Sequence, residues 1–166
     1  MVHNQFMREA LDIAKRALHA GEFPVGCVIV CGDRVIASGS RARTTGEAVN
    51  EIDHAEMNAL RHLAETGPHG NFGDIVVFTT LEPCLMCFGA IILSGIGKIV
   101  YSYEDVMGGA SGLARERLTP VYKDSKIVIE GGVLRLESLN LFKAYFSDPA
   151  NKYLAKSFFA RHVLRQ

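Results

Sequence analysis

Residues 79–91 read TTLEPCLMCFGAI, a stretch that joins the end of a predicted buried strand to the start of a predicted apolar helix. The strand is DIVVFTT (74–80), and the helix covers 84–95. Cys84 and Cys87 lie in the first turn of this helix, directly behind a proline. A C-x-x-C pair alone is compatible with a metal site, a redox pair or two buried thiols. Any further metal ligands must therefore come from elsewhere in the sequence.

Strands and helices alternate along the rest of the chain. This alternation is typical of an α/β fold with a layered sheet. A length of 166 residues is most simply one domain, 1–166. The predicted helices are 6–18, 55–66 (ended by Gly67-Pro68), 84–95, 136–146 and 150–164, and the predicted strands lie within 23–39 and at 74–80, 98–103 and 126–133.

Composition narrows the class of protein. Apolar residues make up 48% of the chain and charged residues 22%, which is ordinary for a globular protein in water. The first 18 residues lack the apolar core of a signal peptide, and no apolar run approaches the roughly 20 residues that a membrane helix needs. We therefore expect a cytoplasmic protein with no membrane segment, whose thiols stay reduced. The net charge is zero, so no overall positive field indicates a nucleic-acid partner.

The stretch DHAEMNAL (53–60) supplies the missing ligand. One helix and one strand separate His54 from Cys84, which predicts a crossover between neighbouring strands that returns the chain to the same edge of the sheet. His54, Cys84 and Cys87 would then meet and leave one tetrahedral position open, as in catalytic zinc sites. Glu56 is free to move a proton between an attacking water and a leaving amine. The set matches the H-x-E…P-C-x-x-C signature of the zinc nucleobase deaminases.

Each of these residues also has a purely structural interpretation. Taken alone, His54 is compatible with a helix cap and Glu56 with a solvated helix acid. Cys27 and Cys31 form a rival pair, but they share one face of a predicted strand and are interpreted as packed cysteines. Two other classes of function stay open. A zinc-stabilised binding module or inactive partner subunit would not need Glu56, and a redox protein would leave His54 unexplained.

The chain resembles the cytidine-deaminase-like superfamily, and most of all the bacterial tRNA adenosine deaminases. The resemblance lies in FMREALDIAKRAL, EFPVGCVIV, HAEMNAL, TLEPCLMCFGAIILSGIGKIVY and the GGASG loop, and it covers residues 5–113 well. It implies a three-layer α/β/α sandwich around a mixed five-stranded sheet, a zinc cofactor and a homodimer. It also implies that Phe23, Val25 and Leu81 pack against the base. The backbone N–H of Cys84, at a helix start, is expected to stabilise negative charge that develops on the substrate.

The chain also departs from the tRNA deaminases. Arg41 stands where those enzymes carry an asparagine that contacts the target nucleoside. The loop from Arg41 to His54 is also longer than the corresponding loop in those enzymes. Leu93 and Gly95 replace basic and histidine residues near the end of the cysteine helix. Arg41 and Arg43 are therefore assigned to a phosphate or an acidic ring substituent of the substrate.

The substrate stays open between two kinds. An adenosine in tRNA leads, because the cysteine stretch and the GGASG loop follow the tRNA enzymes. A free base, nucleoside or nucleotide, such as guanine or a cytosine derivative, is the alternative, and the zero net charge favours it. The helix at 84–95 has no polar face, which favours a homodimer independently of the resemblance.

Overall fold

The computed structural model of the protein describes residues 2–46, 48–67 and 70–166. Within these ranges five strands and six α-helices alternate along the chain, and none of the helices is long and apolar enough to cross a membrane. The strands are β1 Gly26–Cys31, β2 Arg34–Ser40, β3 Ile75–Leu81, β4 Lys98–Tyr103 and β5 Val128–Glu130. The helices are α1 Val2–His19, α2 Ala55–Glu65, α3 Leu85–Leu93, α4 Pro120–Lys123, α5 Arg135–Ser147 and α6 Phe158–Val163. Pro68, which is predicted with Gly67 to end the second helix, lies outside the described residues.

All five strands form one mixed sheet in the order β2-β1-β3-β4-β5. β1 is antiparallel to both β2 and β3, whereas β3, β4 and β5 run parallel to one another. The predicted hairpin is confirmed, because β1 ends at Cys31 and β2 begins at Arg34. Gly32 in the turn adopts a φ of 63°, a conformation that glycine reaches without strain.

Helices cover both faces of this sheet. Along β1, Cys27 and Ile29 face α2 and α3, whereas Val28 and Val30 face α1. All four are buried, which explains why β1 reads as a continuous apolar run. The predicted three-layer α/β/α sandwich is confirmed.

Close contact between α2 and the sheet depends on Gly39 in β2. A side chain at this position would overlap the carbonyl oxygen of Ala55, the first residue of α2. A side chain at Gly26 in β1 would likewise overlap the carbonyl oxygen of Ala10 in α1. Because backbone meets backbone at Gly39, the start of α2 lies at a fixed distance from the sheet. This contact positions His54.

The crossover that contains α2 differs from its prediction in one respect. The helix connects β2 to β3, and β1 lies between these two strands, so they are not neighbours. Both are antiparallel to β1 and hence parallel to each other. Their carboxyl ends therefore lie at the same edge of the sheet, and the starts of α2 and α3 still meet there.

The C-terminal helix is much shorter than predicted. Residues 136–146 lie within α5, but the predicted helix over 150–164 is wrong, because only α6 is helical in that range and residues 150–157 form turns or irregular structure up to its start. Leu154 adopts a left-handed φ of 54°, which a right-handed helix cannot contain. These turns bring Tyr153 and Leu154 to the cavity at the starts of α2 and α3.

Candidate metal centre and catalytic pocket

Two helices begin at one edge of the sheet with a potential metal ligand at the N-cap. His54 is the N-cap of α2, and Cys84 is the N-cap of α3. Both have extended backbone, with ψ angles of 153° and 172°, and neither side chain makes a capping hydrogen bond. Their donor atoms stay available for a metal, and the positive ends of the helix dipoles favour anionic ligands at this place.

The structure brings together the three residues that the sequence singles out as ligands. The donor atoms of His54, Cys84 and Cys87 all lie within 4.8 Å of one another. The Nδ1 atom of His54 is 3.6 Å from the Sγ atom of each cysteine. A tetrahedral zinc ion with Zn–N of about 2.0 Å and Zn–S of about 2.3 Å separates its nitrogen and sulfur ligands by about 3.5 Å. The donor set therefore fits a zinc ion with three protein ligands.

The thiols of Cys84 and Cys87 share a hydrogen bond that shifts their pKa values in opposite directions. A hydrogen bond from Cys87 lowers the pKa of Cys84 to about 4, against the opposing effect of burial. The same hydrogen bond, together with burial and the carboxylate of Glu56, raises the pKa of Cys87. The hydrogen bond with Cys84 also raises the pKa of His54. A divalent cation between the two sulfurs favours the thiolate form of both, so the chemistry of the donors also suits zinc.

Glu56 lies beside the three donors without being one of them. Its Oε1 atom accepts a 3.0 Å hydrogen bond from the hydroxyl of Thr79, and its Oε2 atom is 3.6 Å from the Sγ of Cys87. The side chain is buried, and this burial raises the pKa of the carboxyl group. A raised pKa suits a group that must accept and then release a proton near neutral pH.

A cavity of about 300 Å³ opens at this edge of the sheet. Its lining includes His54, Glu56 and Cys84 together with all four residues predicted to bind the substrate, namely Phe23, Val25, Arg41 and Leu81. Phe23 and Val25 are buried, and Leu81 is half-buried. Apolar walls with a few convergent polar groups are typical of a pocket for a small molecule or a base.

A match to a known family decides the class of protein. The cytidine and deoxycytidylate deaminase zinc-binding region matches residues 1–103, which contain the three candidate ligands and Glu56. The chain belongs to this zinc-binding deaminase family. The resemblance seen in the sequence is thereby confirmed, and with it the class of reaction, the hydrolytic removal of an amine.

Individual members of known deaminase families resemble this chain in sequence and in structure. The deaminase is 30% identical over 161 residues to a tRNA-specific adenosine deaminase of Streptococcus pyogenes, and the match covers 97% of this chain and 91% of that one. It resembles a solved structure from studies of A-to-I editing by tRNA:A34 deaminases, with 29% identity, a TM-score of 0.65 and coverage of 82% and 98%. A guanine deaminase from Nitrosomonas europaea shares the fold, with 22% identity, a TM-score of 0.68 and coverage of 86% and 83%.

The glycine-rich loop after β4 forms a wall of the pocket, a role that is not predicted from the sequence. The carboxylate of Glu82 accepts hydrogen bonds from the backbone N–H groups of Asp105 and Ser111, each at 3.0 Å. Gly109 packs directly against Glu82 and pairs with Cys84 in an isolated β-bridge. The GGASG motif is the signal that indicates this role, because only glycine leaves room for the buried carboxylate.

The outer part of the pocket comes from two segments that are distant in sequence. Glu51 lies in the loop between β2 and α2, whereas Tyr153 and Leu154 lie in the turns after α5, and all three line the cavity. None of them belongs to a recognisable motif. Glu51 and Tyr153 are 102 positions apart, and only the folded chain places them together.

Arg41 lines the cavity while most of its donors bind protein groups. Its side chain is 3% exposed, and NH1 donates to three carbonyl oxygens of the loop that leads to His54, at 2.8, 2.7 and 3.0 Å. NH2 donates to Glu51 at 3.1 Å and to the hydroxyl of Tyr153 at 3.2 Å. Arg43 is the other residue assigned to an anionic group of the substrate. Its side chain is exposed, and its Nε atom forms an ion pair at 3.2 Å with Oδ2 of Asp53 in the same loop.

Proposed function

We propose that this deaminase converts adenosine to inosine in tRNA, with zinc held by His54, Cys84 and Cys87. The observation that carries the proposal is the tetrahedral spacing of these donors beside the buried carboxylate of Glu56. Structural zinc sites usually have four protein ligands, whereas three ligands and an open position are typical of catalytic zinc sites. The family match and the similarity to tRNA deaminases support the same conclusion.

Glu56 is proposed to move the proton of the reaction. Zinc held by His54, Cys84 and Cys87 would supply Lewis-acid chemistry that makes hydroxide available from water near neutral pH. Glu56 takes the proton from the attacking water and delivers it to the exocyclic amine, which leaves as ammonia as the new C–O bond replaces the C–N bond. Thr79 holds Oε1 of the carboxylate, so Oε2, on the side of Cys87, carries the proton.

The remaining site residues are proposed to bind and stabilise the base. Phe23, Val25 and Leu81 share the lining of the cavity with the metal ligands, which supports a role in packing against the ring. The backbone N–H of Cys84 lies at the start of α3, where N–H groups have no partner within the helix. It is suited to stabilise the negative charge that develops on the ring as water adds.

Deamination of a free base is the second candidate. Two observations favour it: the net charge of the chain is zero, and the turns after α5 cover part of the cavity. A protein that binds a polynucleotide neutralises several phosphates, so its affinity falls steeply as salt rises. A neutral base has no phosphates, and salt should barely affect its turnover.

A panel of substrates tests the two candidates. Ammonia release would be measured with an anticodon stem-loop RNA and with adenine, guanine and cytosine and their nucleosides and nucleotides. We expect turnover of the stem-loop to inosine, a steep loss of that turnover with salt, and one zinc per chain by elemental analysis. Turnover of a free base with none of the stem-loop would favour the second candidate, and a fully active metal-free preparation would contradict the mechanism.

We also propose that the deaminase is a homodimer, and that it works in the cytoplasm, where tRNA is found. One face of α3, including Ile91, is buried within the chain, but Leu85 and Leu93 are each 63% exposed. They lie on the same side of the helix, eight residues apart, and a second copy would cover both. Light scattering should give twice the mass of the chain, and Leu93→Lys should give a monomer.

A further inference from the structure

Three polar side chains join two distant segments at the outer part of the cavity. The hydroxyl of Tyr153 donates to Oε2 of Glu51 at 2.7 Å and accepts from NH2 of Arg41 at 3.2 Å. The same NH2 group donates to Oε2 of Glu51 at 3.1 Å, which closes the triangle. We refer to Arg41, Glu51 and Tyr153 as the clasp. Its hydrogen bonds involve charged groups and are therefore stronger than bonds between neutral groups.

The Arg41 end of the clasp is rigidly held. Its backbone N–H donates to the carbonyl oxygen of Val25 at 2.9 Å, and NH1 donates to three loop carbonyls. The guanidinium carbon lies 5.3 Å from the centre of the Tyr153 ring. Both terminal nitrogens of the guanidinium already donate hydrogen bonds, and its charge is paired with Glu51. Few N–H donors are left to bind an anionic group of the substrate. Arg41 therefore acts on the pocket through Glu51 and Tyr153.

The Tyr153 end of the clasp lies in a segment without regular structure. Residues 149–157 contain neither helix nor strand. Leu154 has a left-handed φ of 54°, a strained conformation for leucine that persists only where surrounding contacts hold it. The ring of Tyr153 packs on Phe23, with 5.5 Å between ring centres, and both rings line the cavity. The clasp fixes this segment at the point where it borders the cavity.

We propose that the clasp holds residues 149–157 as the outer wall of the cavity, where Tyr153 and Leu154 contact the substrate and determine specificity, while Arg41 and Glu51 are positioning residues. The inference rests on the proposed function to the extent that the substrate binds in this cavity. The reacting amine must lie beside Glu56, so another part of the substrate meets the outer wall. The wall should therefore affect substrate binding more than the chemical step.

Two conservative variants test the clasp in the full chain. Tyr153→Phe keeps the ring and removes the hydroxyl, and Arg41→Lys keeps the charge but not the planar set of donors. Each should raise KM for the stem-loop RNA about three- to tenfold and leave kcat within about twofold, because the metal centre is unchanged. The double variant should be no worse than the poorer single variant, because both changes break the same cluster. Tyr122→Phe, a tyrosine outside the cavity lining, is the matched control and should leave KM unchanged.

Hydrogen exchange tests the clasp without any substrate. The backbone amides of residues 150–157 should exchange about tenfold faster in Tyr153→Phe and Arg41→Lys than in the wild type, and not in Tyr122→Phe. If the wild type deaminates nothing in the substrate panel, the proposed function fails, while the exchange result still tests the clasp.

Two outcomes would overturn the inference. Unchanged exchange in both variants would show that the three side chains do not hold the segment. A raised KM in Arg41→Lys with a normal KM in Tyr153→Phe, or additive effects in the double variant, would show that Arg41 contacts the substrate directly.

Discussion

The inner and outer halves of the candidate catalytic pocket are built in different ways. His54, Glu56 and Cys84 form the inner half and lie at the starts of two helices, of which α2 packs closely on the sheet at Gly39. Glu51 and Tyr153 form the outer half and lie in irregular segments joined by side-chain hydrogen bonds. Backbone packing fixes a position more tightly than side chains on loops do. The groups proposed to do chemistry therefore lie at the starts of helices, and the groups proposed to form the outer wall lie on loops.

The largest effect is expected in the inner half, from Glu56→Gln. The amide cannot carry a proton, so kcat should fall roughly 10²- to 10⁴-fold. Zinc content should stay at one per chain, because Glu56 is not among the clustered donor atoms. Ammonia release and elemental analysis measure the two quantities. Glu65→Gln, at the exposed end of the same helix, is the control, and near-normal turnover of Glu56→Gln would remove the distinction between the two halves.

A smaller effect, on stability, is expected in the outer half from Arg41→Ala. This change removes the guanidinium that donates to three loop carbonyls and to the carboxylate of Glu51. We expect the free energy of unfolding in urea to fall by about 2–4 kcal/mol, because several charge-assisted bonds from a side chain that is 3% exposed are lost together. Arg34→Ala, at an exposed position in β2, is the control and should change it by less than about 0.5 kcal/mol. Equal losses in the two variants would mean that the clasp adds no stability.

The smallest effect concerns how stability depends on pH, through hydrogen bonds that Glu22 makes with the loop containing Glu51. Burial raises the pKa of Glu22, but hydrogen bonds from Thr44 and Thr45 outweigh it and lower the pKa from its usual 4.5. The stability that these bonds contribute is therefore present above about pH 4.5 and lost as the pH falls through the lower pKa of the folded state.

The Glu22→Gln variant measures this contribution. The difference in free energy of unfolding between wild type and Glu22→Gln should be largest near neutral pH and shrink in acid. Taking the difference at each pH cancels the titration of the metal ligands, which both proteins share. A difference that stays constant from neutral pH into acid would show that the carboxylate does not anchor the loop.

The two halves of the pocket also differ in how far the sequence predicts them. The α/β fold, the hairpin and the inner half follow from local patterns, because apolar periodicity defines each strand and helix. His54 and Cys84 each precede a predicted apolar helix, so the topology of the sheet is enough to bring them together. The predicted neighbourhood of β2 and β3 is wrong, because β1 lies between them and strand order depends on contacts between distant segments.

Only the tertiary structure decided the outer half. Arg41 stands out in the sequence as a substitution in the family pattern, yet its partner Tyr153 lies 112 positions away in a stretch that favours a helix by composition. Residues 150–157 form turns or irregular structure instead, because Tyr153 binds Arg41 and Glu51 and packs on Phe23. Hydrogen bonds between distant polar side chains have no period in the sequence. They form only after the sheet has brought both segments to the same edge, and for that reason the sequence determined the candidate metal ligands while the fold decided the wall around them.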